Sequence, residues 1–224
     1  MRRLPYVIVA LLFAATVSLF SYSAAPRPLR PKALSLSALV AAPIEQLAVA
    51  AGVAPAPQPV DNSPAKLDMR TKTAGCQVAG PLPDHDCTPG AIFASTTLET
   101  ICTPGYTQKV RNVSTSLKKS IYKEYGIAYP EPTGSYEADH LIPLELGGSN
   151  AVANLFPEAA SPKPGFKEKD LVENYLHQQA CDGDIPLGRA QEQIANDWVG
   201  VYNSLSQDEL AQLKAQYSSW ADKN

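Results

Sequence analysis

The sequence is short of the residues that most often hold metals and move protons. It has three histidines (His85, His140 and His177) and four cysteines in 224 residues, and no two cysteines are spaced Cys-x-x-Cys. The missing pair argues against a structural zinc knuckle. No internal repeat is present. Positive charge is scarce where a nucleic-acid binder would need it: residues 76–224 hold eleven Lys/Arg against nineteen Asp/Glu. Such an acidic balance disfavours unspecific nucleic-acid binding. Residues 33–53, rich in Ala and Leu, have almost no charge and so lack the polar face of an interfacial helix.

What is present begins with an export pattern. Arg2 and Arg3 precede an uncharged, mostly apolar run over residues 4–20, and Ser23-Ala24-Ala25 supplies small residues for cleavage. Residues 1–25 therefore read as a signal peptide, or as an uncleaved N-terminal membrane anchor. Residues 26–75, with Ala54-Pro55-Ala56-Pro57-Gln58-Pro59, have the composition of an extended disordered linker. The folded domain is expected over 76–224. Cys76, Cys87, Cys102 and Cys181 all follow the leader, and their even count predicts two disulfides in a secreted or cell-envelope protein. Of three connectivities, Cys76–Cys87 with Cys102–Cys181 is preferred.

Apolar spacing predicts an amphipathic helix over 114–125, capped by Ser114 or Thr115 and ended by Gly126. A second helix is expected over 164–181, with Leu171, Val172, Tyr175, Leu176 and Ala180 as its stripe. Further helices are expected over 186–205 and 207–220, with Trp198 and Trp220 as core residues. Residues 137–146 read as two short strands, or one strand and an extended loop. Gly147-Gly148 would supply positive φ for the turn that follows. The fold class is α+β, mostly helical around a small β element.

Chemistry concentrates in Tyr136-Glu137-Ala138-Asp139-His140-Leu141-Ile142-Pro143-Leu144-Glu145-Leu146-Gly147-Gly148-Ser149-Asn150, followed by Asn154-Leu155. Neighbours on an extended strand point to opposite sides, so Asp139 can hold a metal while His140 faces substrate. Asp170, Glu173, Asn174 and His177 recur at spacings that share one helical face. A hairpin packed on that helix would gather Asp139, His140, Glu173 and His177. Two clusters of cations could meet phosphates: Lys163, Lys167 and Lys169, and Lys109, Arg111, Lys118, Lys119 and Lys123. His85, in Asp84-His85-Asp86, reads as a loop residue.

The order Asp-His, Gly-Gly, Asn-Leu and then a polar helix face resembles the HNH endonucleases, the ββα-metal nuclease class. The likeness is specific over residues 136–181. Residues 87–202 also look like a group of small exported bacterial proteins sharing this HNH-like core. The resemblance implies a ββα-metal core in a disulfide-stapled domain that hydrolyses DNA, or RNA less readily, with one divalent cation (Mg²⁺, Mn²⁺ or Zn²⁺). It implies His140 as general base, Asn154 as the asparagine that ties the loop and orients the histidine, and Asp139 as a metal ligand. Glu173 and His177 would complete the ligand set, with Asn174 as an alternative. Lys163, Lys167 and Lys169 would bind substrate phosphate. The chain departs from the pattern after Asn154-Leu155, where Phe156-Pro157-Glu158 and a Pro/Lys-rich insert replace the usual Cys-x-x-Cys or closely spaced histidine. The rival reading is a non-catalytic cell-envelope module on a degenerate form of that fold.

Overall fold

A computed structural model describes residues 60–221. The expected leader over 1–25, and the part of the expected linker before residue 60, lie outside the described residues. Six helices and one two-stranded antiparallel sheet make up the described region. The helices are α1 (Leu98–Ile101), α2 (Tyr106–Val110), α3 (Thr115–Glu124), α4 (Phe166–Cys181), α5 (Leu187–Ser204) and α6 (Gln207–Ala221). The strands, β1 (Tyr136–His140) and β2 (Leu155–Ala159), fall between α3 and α4. The α+β class expected from patterning is what is found. No helix among the described residues is long and apolar enough to cross a membrane.

Local chemistry sets the helix ends. The Ser114 hydroxyl accepts from Leu117 N–H and starts α3, and Gly126, at φ +67°, follows its end. The Glu168 carboxylate reaches back to Gly165 N–H at 2.9 Å to start α4. The backbone leaves helical geometry at Asp197 within α5, and its side chain accepts from Gly200 N–H, recapping the second half. Leu176, Val172 and Ala180 of α4 pack with Ile194, Ala190 and Trp198 of α5 in the main core. Leu171, Leu205, Leu210 and Leu213 form a smaller cluster that seats α6.

The strand pair runs from Tyr136 opposite Ala159 to His140 opposite Leu155. Its second strand is not within 137–146: residues 144–146 form a single 3-10 turn, and β2 begins only after Asn154. The two glycines of the connection serve different needs. Gly147 has φ +81°, the left-handed region that favours glycine. Gly148 does not have positive φ. A Cβ there would lie 1.7 Å from Ile142 O, so it is close approach of two backbones that requires glycine.

Both disulfides join the preferred partners, Cys76 with Cys87 and Cys102 with Cys181. The second ties the end of α1 to the end of α4. The ordered fold also includes residues 60–75, which composition places in the linker. Leu67 packs on the core, and Arg70 pairs with Glu124. Asn62 Oδ1 accepts from Leu187 N–H at 3.3 Å, and Gln191 Oε1 accepts from Ala65 N–H at 2.8 Å. These residues have no periodic apolar pattern because they are held bond by bond rather than by a face.

Candidate functional site

The two faces of β1 carry different chemistry. Antiparallel pairing places Glu137, Asp139, Phe156 and Glu158 on one face, and Ala138, His140, Leu155 and Pro157 on the other.

On the His140 face the hydrogen bonds are made by amides. His140 is 3 % exposed, and its Nε2 lies 3.1 Å from Asn150 Oδ1. The orientation of that amide is fixed by its other partners. Asn150 Nδ2 donates to Val110 O at 2.8 Å, and Oδ1 accepts from Asn112 N–H at 3.2 Å. Since Oδ1 can only accept, Nε2 must carry the proton, and the neutral ring keeps its free lone pair on Nδ1. No hydrogen bond to Nδ1 is made among the described residues, and Nδ1 is not one of the fully buried unpartnered atoms. Burial lowers the His140 pKa below 6.5, against the charge of Asp139 and the Asn150 bond, which raise it. The ring is therefore neutral at neutral pH.

Asn150, not Asn154, orients the histidine. Asn154 ties the loop, as the resemblance implies. Its Oδ1 accepts from Ile142 N–H (2.9 Å) and Ala91 N–H (3.3 Å), and its Nδ2 donates to Ile142 O and Ser149 O, both at 2.9 Å. Every donor and acceptor of the buried amide is used.

The opposite face holds carboxyls. Asp139, Glu158 and Glu173 surround Lys169, which is 0 % exposed. The Lys169 ammonium donates to Asp139 Oδ2 and to His140 O, each at 2.8 Å, and to Glu173 Oε1. All three N–H bonds are spent. Lys169 is thus an internal counter-charge and cannot bind substrate phosphate, as the lysine cluster suggested. A solvated role is the usual one for lysine, but its spacing to Val172, Leu176 and Ala180 places it on the buried stripe of α4, and that was the available signal.

The balance of charge in this cluster is uneven. Burial would push Asp139 up, but Lys169 outweighs it and holds the carboxyl at about 2. Burial, with Asp139 adding to it, pushes Asp170 up to about 7. Burial also raises Glu137, Glu158 and Glu173, despite the opposing charge of Lys169. Glu158 is itself 0 % exposed, and a hydrogen bond shared with the Asp139 carboxyl raises Glu158 while lowering Asp139. Glu158 was not among the expected site residues. Its cue is its place opposite Glu137, two residues from the strand position facing Asp139.

The other expected site residues are elsewhere. Asn174 Nδ2 donates to Asp170 O of its own helix. His177 Nε2 is 3.2 Å from Ile101 O and 3.4 Å from Cys181 Sγ, beside the Cys102–Cys181 disulfide. It is not gathered with Asp139. Lys163 is exposed and pairs with Glu168, and Lys167 is exposed. The cations that do reach the site are Arg111, in the segment joining α2 to α3, and Lys118, in the first turn of α3. The Arg111 charge acts on both His140 and Glu137, and that of Lys118 acts on Glu137. Arg111 is exposed.

A divalent cation at Asp139 requires converging donors. The carboxyls are of the right class for Mg²⁺ or Mn²⁺, but as arranged they do not form such a site. The Lys169 ammonium takes the place between Asp139 and Glu173. The one group of three His, Cys, Asp or Glu ligand atoms within 4.8 Å of one another, among the described residues, is Cys102, His177 and Cys181, and two of its sulfurs are bonded to each other. Comparison with known protein families, with curated proteins and with solved structures gives no match.

Proposed function

We propose that the chain is an exported endonuclease of the HNH-like kind that hydrolyses phosphodiester bonds of DNA. The observation that carries this reading is the state of His140: neutral, with Nε2–H committed to Asn150 and the Nδ1 lone pair left uncommitted. A base with a pKa near or below neutrality and a fixed free lone pair is what activation of water requires. Nδ1 would take the proton of a water attacking phosphorus. The resulting imidazolium gains from the nearby Asp139 charge and keeps its bond to Asn150. Arg111, whose charge acts on His140, would meet a phosphate oxygen as negative charge builds. Export is supported by the two disulfides, which fit an oxidising compartment. Lys169, filling the acidic cluster, favours the rival reading of a binding module without catalysis.

The test is plasmid nicking by the oxidised chain, with no added metal and then with Mg²⁺, Mn²⁺ or Zn²⁺, beside His140→Ala. Cleavage that disappears in the variant establishes the base, and the metal series establishes any dependence on a cation. No cleavage of DNA or RNA under any of these conditions would overturn the enzyme reading and leave the binding module.

A further inference from the structure

We propose that Cys102, His177 and Cys181 form a site with two states: a disulfide when oxidised, and a site for a soft divalent cation such as Zn²⁺, made of two thiolates and one imidazole, when reduced. This inference is independent of nuclease activity.

The geometry is close to that of a coordination site before any atom moves. His177 and Cys181 are four residues apart on α4 and so share a face. Cys102 arrives from a second element, at the C-terminal cap of α1. One ligand atom from each lies within 4.8 Å of the others. In a tetrahedral zinc site, metal–sulfur and metal–nitrogen distances of about 2.3 and 2.0 Å put sulfur and nitrogen about 3.5 Å apart. Cys181 Sγ and His177 Nε2 are already 3.4 Å apart. What must open is the sulfur–sulfur bond itself. All three residues are half-buried, within reach of a reductant and an ion. Cys76 and Cys87 differ on both counts: they are 3 % and 1 % exposed, and no histidine contact accompanies them.

The chemistry balances as follows. A dithiol reductant supplies two electrons and two protons, the Cys102–Cys181 bond breaks to two thiols, and the reductant leaves as its own disulfide. The cation then displaces the two thiol protons, and His177, whose Nε2–H faces Ile101 O, passes that proton to solvent, takes one up at Nδ1, and gives its Nε2 lone pair to the metal. A junction between α1 and α4 closed by a covalent bond in an oxidising compartment would be closed by a cation in a reducing one.

The test uses the full chain, reduced by a phosphine that is then removed without air, and titrated with Co²⁺. The expected result is one Co²⁺ per chain with thiolate-to-cobalt charge-transfer absorption, displaced by Zn²⁺. Zn²⁺ should also raise the melting temperature of the reduced chain. Cys102→Ser should lose most of the absorption, and His177→Ala, which keeps all four cysteines, should bind at least about tenfold more weakly. Absence of the absorption would overturn the proposal. So would equal affinity in His177→Ala, since that means capture by thiols of an unfolded chain, or a reduced chain whose melting Zn²⁺ does not move.

Discussion

On the His140 side of β1, the buried amide of Asn154 makes every one of its hydrogen bonds. On the Asp139 side the buried polar groups are carboxyls outnumbering their one cation, and buried Glu158 shares a hydrogen bond with the carboxyl of Asp139. The first arrangement fixes geometry and leaves the Nδ1 lone pair of His140 uncommitted. The second is held together by one ammonium, and its surplus charge is accommodated by carboxyls that keep protons above their ordinary range. A network of satisfied neutral groups specifies one structure, whereas a buried charge cluster is sensitive to whatever supplies or removes a cation.

The largest effect expected on the amide side is that of Asn154→Ala. It strands Ile142 N–H, Ile142 O and Ser149 O in the interior. At about 1–3 kcal/mol for each group left unpaired, denaturant unfolding should show a loss of about 5 kcal/mol. A loss under 1 kcal/mol would mean that water replaces the amide and that the two sides are less different than described.

Lys169→Met tests the other side. Removing one partner of a buried ion pair leaves an uncompensated charge and costs about 3–5 kcal/mol. The same variant vacates the place between Asp139 and Glu173, so Mn²⁺ should raise its melting temperature more than that of the unaltered chain. If Mn²⁺ acts equally on both, the ammonium is not what keeps a cation from those carboxyls.

The smallest effect is on pH dependence. Asp139 titrates at about 2 when folded and near 3.8 when unfolded, so its contribution is present above 3.8 and lost as pH falls through that interval. The loss is about 2 kcal/mol, read from chemical unfolding across that range. Glu158 has the opposite sign. Its folded pKa is raised above 4.5, so its contribution is full below 4.5 and lost as pH rises through the folded value. Glu158→Gln should therefore flatten the decline of stability on the alkaline side while leaving the acid limb in place. A decline that is unchanged in the variant would assign it to Glu173 or Asp170.

The helices were legible because α3, α4 and α5 bury apolar residues at helical spacing, with Ser114 and Gly126 marking the ends of the first. β2 was not, since it is five residues long, contains Pro157 and is buried on both faces but for its last residue, so no alternation marks it. Within the site, the Asp139-His140 pair and the Asn154 loop tie could be read from their order. The choice between Asn150 and Asn154 as the partner of His140 could not, because both are asparagines in the same connection and only the fold decides which one reaches the ring. Lys169 was misplaced for a different reason. It lies between Lys163, Lys167 and the polar residues of the same helix, and neighbours in sequence suggested solvent where register put it inside. His177 shows the limit of reasoning by shared face: one turn beyond Glu173 is already another site, at the junction with α1.

Gln191 of α5 links two places that are far apart in sequence. Its Oε1 receives Ala65 N–H and its Nε2 donates to Leu146 O at 2.7 Å, with the whole residue 0 % exposed. One planar group therefore acts as a joint. The segment by which the chain enters the domain and the bend just before Gly147 are gripped by opposite ends of the same rigid amide, so neither can shift without moving or breaking from the other.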